Sequence, residues 1–284
     1  MARRLFWSAI FATLCVPALA PPAFGSFHLM KIVEVFPGTS GSPNAQYVML
    51  QMYSAGQNLV SGHFLRVYNA TGGTVATFTF GANVGNGATQ STILIATAEA
   101  ATLFGISKDL TMTAVLPLAG GAVCFDAIPA DCVSWGNFTG DGSLLNTAGT
   151  PYESDYGLIL GHAIRRDISG GTFPTLLEAS DDTNNSAADF DCANTAMPKN
   201  NAGSSGSYTD GTPCPVCGNN VKEVGEVCDG TDAFACPGLC VSCNCTVAGV
   251  GALKVPATPI WGLVGFVGLV LLCGSVLVRR ARSS

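Results

Sequence analysis

The side chains of this chain that could do chemistry fall into three groups: 12 cysteines, 3 histidines and one acidic loop. Cys15 and Cys273 lie within apolar segments near the two ends of the chain. The other cysteines are even in number, which suits disulfide bonding in an oxidising compartment. These disulfide candidates are Cys124, Cys132, Cys192, Cys214, Cys217, Cys228, Cys236, Cys240, Cys243 and Cys245.

The first two of these cysteines predict a local staple. Cys124 and Cys132 flank a short turn, so a disulfide between them would join two adjacent strands. Closing such a small loop should stabilise the fold by about 2–3 kcal/mol, because the bond restricts the unfolded chain.

Segment 214–246 is dense in cysteine and too short to form a hydrophobic core, which predicts a small module held together by disulfides. A zinc ribbon is the alternative, since Cys214-x-x-Cys217 and Cys240-x-x-Cys243 have ligand-like spacing. It would leave three further cysteines as spare thiols in an oxidising compartment, so disulfides of open connectivity are favoured. A redox role for Cys214 and Cys217 is disfavoured, because the sequence around them lacks a βαβ pattern.

Asp181, Asp182 and Asp189 lie in one acidic loop and offer the hard oxygen ligands that calcium prefers. The spacing after Asp182 resembles the opening of a calcium-binding loop. Ala187 and Ala193 then replace the glycine and the bidentate glutamate that would complete such a loop. A solvated turn that caps its own backbone is therefore the favoured interpretation.

The histidines, His28, His63 and His162, have no ligand or base pattern around them, so each is predicted to be a structural or surface residue. Asp126 and Asp131 could form a carboxylate pair across a predicted hairpin, although solvated turn positions explain them as well. Nucleophile-elbow, His-Glu-x-x-His and phosphate-loop motifs are all missing from the sequence. We expect no catalytic, cofactor-binding or metal-binding residues.

The elements that must position these groups are short strands separated by turn signals, with Thr97 and Gly105 bounding one brief helix. The predicted strands are 28–36, 46–53, 63–68, 74–80, 92–96, 110–115, 122–125, 132–135 and 158–165. Strand 74–80 alternates, with Ala76, Phe78 and Phe80 directed inward and Val75, Thr77 and Thr79 outward. The pattern predicts a mainly β fold, a β-sandwich, over 26–192.

Several short motifs in this region are similar to bacterial members of the lamin-tail domain family. They are 28–36, Tyr47-Val-Met-Leu, Gly120-Gly-Ala-Val-Cys-Phe, Cys132-Val-Ser-Trp-Gly, Asp182-Thr-Asn and Asp189-Phe190. The resemblance implies an immunoglobulin-like β-sandwich on an exported protein, acting as a binding or tethering module without catalytic residues. Further on, Cys217 to Gly230 resembles the cysteine-rich repeats of myxobacterial surface proteins, with Asn220 in the place of a turn glycine.

The two ends of the chain predict export and membrane attachment. Residues 1–25 have the basic start, apolar core and small-residue cleavage site of a signal peptide. Residues 259–278 are long and apolar enough to span a bilayer, and a basic tail at 279–284 would stay on the cytoplasmic side. Between these ends, the Gly/Ser/Asn-rich segment 193–213 is predicted to be a flexible linker and 247–258 a spacer.

The C-terminal segment also resembles a sorting signal of the PEP type, which a membrane protease or transpeptidase recognises. The residues that carry this likeness are Pro256, Trp261, Gly262, Arg279, Arg280 and Arg282. Ile260 stands where an acidic residue is usual, so a permanent single-pass anchor is the alternative. Either interpretation places the protein in the bacterial cell envelope, with its N-terminal part outside the cytoplasm.

The charge of the chain narrows the possible partners. The formal net charge is −6, and Arg3, Arg4 and the C-terminal arginines lie outside the exported part, which is therefore more acidic still. An acidic surface repels phosphate groups, so nucleic acid is not an expected partner. The sequence predicts a non-enzymatic, surface-displayed binding, tethering or structural module, whose ligand would be an extracellular protein or polysaccharide. A small secreted hydrolase or calcium-dependent binder that uses the loop 181–191 is the alternative.

Overall fold

The computed structural model describes residues 28–126, 131–140, 148–153, 156–216, 220–222, 228–229, 240–241 and 244–245. The predicted signal peptide, spacer, membrane helix and basic tail lie outside these residues, as do all the sorting-signal residues. Cys217, Cys236 and Cys243 also lie outside them. Within the described ranges, no helix is long and apolar enough to cross a membrane.

The described elements are mostly short strands. In chain order they are β1 (Met30–Phe36), β2 (Tyr47–Met52), β3 (Phe64–Asn69), β4 (Thr74–Thr79), β5 (Thr92–Ala96), α1 (Ala98–Phe104), β6 (Leu110–Thr111), β7 (Gly120–Phe125), β8 (Asp131–Gly136), β9 (Ala163–Arg166), a 3₁₀ turn (Ala179–Asp181), α2 (Ser186–Asp189), β10 (Phe190–Ala193), β11 (Thr195–Ala196), β12 (Tyr208–Thr209), β13 (Cys240–Val241) and β14 (Asn244–Cys245). The prediction of a mainly β chain is confirmed.

Two sheets enclose the main core. The larger has six strands in the order β10-β9-β1-β2-β5-β6, and the smaller has four in the order β4-β3-β7-β8. All neighbours are antiparallel except β5 and β6. Apolar residues of both sheets pack in one cluster, with Ile32 and Leu50 from the six-stranded sheet meeting Val67, Val123 and Trp135 from the four-stranded sheet.

A second core covers the opposite face of the six-stranded sheet. Phe104 of α1 packs edge-on against Phe36 and Tyr47, and Ala196 and Tyr208 belong to the same cluster. Both faces of this sheet are therefore buried, and β2 is buried at every position except its half-buried Gln51. Helix α1 begins and ends as predicted: the Thr97 side chain accepts a hydrogen bond from Ala100, and Gly105 is left-handed.

Segment 193–213 differs from its prediction as a flexible linker. It contains the β11–β12 ladder, and Asn200 and Asn201 are buried within it. The Asn200 amide donates to the carbonyl and hydroxyl of Ser107, and the Asn201 amide donates to the Thr92 carbonyl. The polar side chains of this segment therefore make hydrogen bonds inside the protein. The compact unit that contains both sheets extends to Val216.

A second unit begins at Cys217, and a few of its residues are described. β13 and β14 pair antiparallel, and the backbone N–H of Val221 donates to the Asp229 carboxylate. Cys228 is buried and disulfide-bonded. Asn220 has a φ of 65°, the left-handed conformation that asparagine tolerates better than most residues.

Candidate functional site: a buried charge cluster

Five charged side chains from both sheets and the acidic loop form one connected set of ion pairs, and we call them the Arg166 cluster. Arg166 is the last residue of β9, Lys31 lies on β1, and Asp131 begins β8 of the opposite sheet. Asp182 and Asp189 come from the acidic loop singled out in the sequence. Because β9 pairs with both β1 and β10, the sheet brings Arg166 beside Lys31 and the end of that loop.

The guanidinium of Arg166 is 1% exposed and every one of its nitrogens has a partner. Nη2 lies 2.7 Å from Asp131, and Nη1 lies 3.3 Å from both Asp182 and Asp189. Nε donates to the backbone carbonyl of Ile32 at 2.9 Å. The guanidinium also lies 4.7 Å above the centre of the Phe190 ring, a cation–π geometry.

The acidic loop folds around this cation. Asp189 accepts hydrogen bonds from the backbone N–H groups of Thr183 and Asn185, while Asp182 accepts from that of Asn184 and pairs with Lys31. Each carboxylate thus closes a turn and also neutralises a buried cation. The prediction that the Asx side chains cap their own loop is confirmed, but both side chains are only 3% exposed rather than solvated.

The cluster shifts the pKa values of its members in opposite directions. Burial raises the pKa of Asp131 to about 6, although Arg166 opposes this shift. One Asp131 oxygen accepts from Arg166 and from the backbone N–H of Ile32, whereas the other is buried without a hydrogen-bond partner. For Asp182, burial would raise the pKa, but the hydrogen bond from Lys31 and the charge of Arg166 outweigh it and lower the pKa.

This arrangement gives the acidic loop a structural role. Asp182 and Asp189 direct oxygens at a guanidinium, so a cation of the protein already occupies the centre of the loop. The remaining carboxylate, Asp181, accepts from the backbone N–H of Glu178 in a capping box. In the part of the chain that the structure describes, these aspartates do not group with a histidine as metal ligands.

A second ionic contact lies on the other face of the six-stranded sheet. Glu34 is 1% exposed and binds Arg165 at 2.7 Å, the hydroxyl of Tyr47, and the backbone N–H of Met197 at 2.7 Å. Burial and the neighbouring Glu34 carboxylate raise the pKa of Tyr47 well above its ordinary value. Glu34 thereby anchors segment 193–213 to the sheet.

The predicted aspartate pair is separated. Asp131 turns into the Arg166 cluster, whereas Asp126 lies 3.1 Å from Nδ1 of His63. In the β7–β8 ladder, the residue that lies directly opposite Asp131 is Phe125, which precedes Asp126. The predicted hairpin is thus present, but its two carboxylates serve different partners and form no acid–base pair.

Two disulfides have both of their cysteines placed among the described residues. Cys124–Cys132 joins β7 to β8, which confirms the predicted staple. Cys192 pairs with Cys214, so Cys214 holds the C-terminal end of the compact unit on β10 instead of joining Cys217 as a zinc ligand. His162 lies beside this disulfide, within 4.8 Å of both sulfurs, and its Nε2 contacts the carbonyl of Thr212. Because both sulfurs are in a disulfide, this group offers a metal no thiolate.

An open polar cleft of about 540 Å³ is lined by residues that include Asn86, Lys108, Asp109 and Asn201. Most of its polar groups bind one another. Asn201 accepts from the N–H of Asn86 and donates to its carbonyl, and Asp109 accepts from the N–H groups of Leu94 and Asn201. Burial raises the pKa of Asp109, although the two backbone hydrogen bonds oppose this shift.

Comparison of the chain with protein-family models, with curated proteins and with solved structures found no match.

Proposed function

We propose that this protein is a non-enzymatic binding or tethering module, displayed on a bacterial cell envelope. It would be exported by residues 1–25 and retained or sorted by residues 259–278. The described β unit would be an immunoglobulin-like sandwich of the lamin-tail type. Its ligand would be an extracellular protein or polysaccharide, since an acidic exported surface repels nucleic acid.

One observation carries this proposal: the charged side chains that could do chemistry bind one another inside the protein. The acidic loop, which would have to serve a hydrolase or a calcium binder, is folded around Arg166 and Lys31. Glu34 is likewise enclosed by Arg165 and Tyr47. These charged groups hold loops to a sheet. A display module would use such contacts to keep its loops in a fixed position.

The fold and the disulfides support the same proposal. Largely antiparallel sheets of six and four strands around one core suit an immunoglobulin-like module, and Trp135 is fully buried in that core. Disulfides persist in proteins exported to oxidising compartments. Cys124–Cys132 and Cys192–Cys214 therefore agree with the export that the N-terminal residues predict.

The experiment that tests this proposal is intact mass spectrometry of the protein from separated envelope and cytosolic fractions. We expect an envelope protein that lacks residues 1–25, with each disulfide adding two hydrogen atoms to the mass on reduction. A mass that ends near Pro256 would indicate a processed sorting signal, and one that extends to Ser284 would indicate a permanent anchor. An unprocessed chain that starts at Met1 and remains in the cytosol would contradict the proposal.

A matched pair of variants distinguishes the two forms of retention. Trp261→Ala should block sorting and leave the full C-terminal mass, whereas Trp135→Phe, which alters a core tryptophan, should be sorted as the unaltered chain is. If both chains extend to Ser284 in the envelope fraction, the sorting enzyme is not a partner and the anchor alone retains the protein. If both end near Pro256, processing does not depend on Trp261.

A further inference from the structure

Lys31 and Asp182 bring an amine and a carboxylate into direct contact in a place that is nearly closed to water. Nζ of Lys31 contacts Oδ2 of Asp182, and the two side chains are 12% and 3% exposed. The residues are 151 positions apart in the sequence, so this contact joins β1 to the acidic loop that precedes β10. An amine that is held against a carboxyl group in a fixed geometry reacts with it far faster than in free solution.

The other oxygen of Asp182 is held by two hydrogen-bond donors. Oδ1 accepts from Nη1 of Arg166 at 3.3 Å and from the backbone N–H of Asn184 at 3.0 Å. Donors in this position stabilise the negative charge that develops on a carboxyl oxygen when a nucleophile adds to its carbon. The two oxygens therefore differ, because Oδ1 is placed to carry charge, whereas Oδ2 faces the amine and is placed to leave.

A third group, Asp131, is suited to move protons between the amine and the carboxylate. Asp131 binds the same guanidinium as Asp182, and its Oδ1 is buried without a hydrogen-bond partner. Burial raises the pKa of Asp131 to about 6, although Arg166 opposes this shift. The charges of Asp182 and Lys31 also act on this pKa, so the three groups lie near one another. A carboxyl group with a pKa close to neutrality can both accept and release a proton at physiological pH.

We propose that Lys31 and Asp182 form a covalent isopeptide bond, from Nζ of the lysine to Cγ of the aspartate, with release of one water molecule. The structure holds the two side chains as an ion pair, which is the state before this reaction. The reaction consumes no oxidant or reductant, so the proposal stands independently of where the protein is located.

The atoms and charges of this step balance within the cluster. Asp131 relays one proton from Nζ of Lys31 to Oδ2 of Asp182, which leaves a neutral amine beside a carboxylic acid. Nζ then attacks Cγ with its electron pair, and the negative charge passes to Oδ1, where Arg166 stabilises it. Asp131 relays a second proton from Nζ to Oδ2, the C=O bond at Oδ1 forms again, and Oδ2 leaves as water. The third proton of Nζ remains on the amide.

The bond would close a covalent loop that runs from β1 to the acidic loop and contains β2 to β9. A force on the two ends of the chain would then pass through the bond and bypass the strands inside this loop. Such resistance to force would suit a tethering module, although the bond itself would form in a protein of any function.

Mass spectrometry of the purified protein tests the proposal. After its disulfides are reduced, the protein should be lighter than the sequence between its two ends by one water molecule. A tryptic digest should contain one linked pair of peptides that joins Lys31 to Asp182. Lys31→Arg keeps a positive charge beside Asp182, but its guanidinium forms no amide there, so this variant should keep the full mass. Lys199→Arg is the matched control, because Lys199 is exposed, and it should lose water as the unaltered chain does.

Asp131→Asn tests the proton relay. Because the pKa of Asp182 is lowered, its acid form is rare, and the relay should limit the rate. The variant should form the bond at least about a hundredfold more slowly, so that freshly purified protein keeps the full mass and loses water with time. Circular dichroism of each variant verifies that it is folded.

Three results would overturn the bond: a folded, unaltered chain of full mass, a loss of water without the linked peptides, or a loss of water in Lys31→Arg. A loss without linked peptides would indicate a cyclised aspartate instead. Asp131→Asn that reacts as fast as the unaltered chain would overturn the relay.

Discussion

The two sheets of this protein differ in how completely they are covered. The six-stranded sheet is buried on both faces, and Arg166 and Glu34 place ionic contacts against those faces. In the four-stranded sheet, β7 and β8 are buried along their whole length, and β8 adds Asp131 to the Arg166 cluster. β3 and β4 instead carry exposed residues, and Arg66 of β3 lies over the ring of Phe64 and reaches the Thr77 hydroxyl. The six-stranded sheet is thus covered on both faces, whereas the four-stranded sheet is exposed on its β3–β4 side.

The largest expected difference is between two arginines, one from each sheet. Arg166→Met removes the cation and leaves three buried carboxylates without it, so the free energy of unfolding should fall by about 3–5 kcal/mol. Arg66→Met, a matched change on the outer face of the other sheet, should cost under about 1 kcal/mol. Urea unfolding of the two variants measures both values, and equal losses would contradict the contrast between the sheets.

The disulfides give a second and smaller contrast. Replacing Cys192 and Cys214 by alanine opens a loop with a sequence separation of 22, against 8 for Cys124 and Cys132. On the chain-entropy model the losses are about 3.4 and about 2.5 kcal/mol respectively. Urea unfolding of the two double variants should show this order. A larger loss from the Cys124/Cys132 variant would mean that the local staple holds more than two adjacent strands.

The third prediction concerns pH. Burial raises the pKa of Asp131 to about 6, above that of an unfolded aspartate, so its protonation favours the folded state. Its contribution is fully present below the unfolded pKa and is lost as the pH rises through about 6. Between pH 7.5 and pH 5, this group should therefore raise the free energy of unfolding by about 1.4 kcal/mol.

Asp131→Asn should remove that part of the pH dependence, and unfolding titrations at several pH values measure it. Asp167→Asn is the control, because Asp167 is exposed and a hydrogen bond from the Ser169 N–H lowers its pKa. Asp182 has a lowered pKa, so its contribution is lost only as the pH falls below the ordinary aspartate range. An unchanged slope in Asp131→Asn would contradict the burial argument.

The smallest expected effect is on the folding of the edge strand itself. Thr77→Lys changes an exposed side chain, so the free energy of unfolding of the monomer should change by no more than about 0.5 kcal/mol. Thermal unfolding measures this quantity. A large loss there would mean that the side chain of Thr77 contributes to the core rather than to the exposed face of β4.

Local pattern was enough to predict much of the four-stranded sheet. The alternation of 74–80 placed Ala76 and Phe78 inward, and the spacing of Cys124 and Cys132 predicted their disulfide. Both signals involve residues that are near in sequence. The predicted strand 110–115 is shorter in the structure, as β6, and the N–H of Leu116 beyond it donates to the side chain of Gln46 from another part of the chain.

The Arg166 cluster could not be assembled from local pattern, because its members come from four separate segments of the chain. One signal was nevertheless present. Arg165 and Arg166 are consecutive in a strand, and consecutive side chains face opposite sides of a sheet. Where both faces are buried, both arginines need partners. Seeing this required knowing that segment 193–213 covers the outer face, and its polar composition favoured a linker instead.

Amide hydrogen exchange of the full-length chain tests the contrast between the sheets most directly. The account predicts slow exchange in β1 and β2, which are buried, and at the amides of Met197 and Asn201, which donate to Glu34 and Asp109. It predicts faster exchange in β4, where four of the six residues are exposed. Exchange in β4 as slow as in β1 and β2, or rapid exchange at Met197 and Asn201, would contradict it.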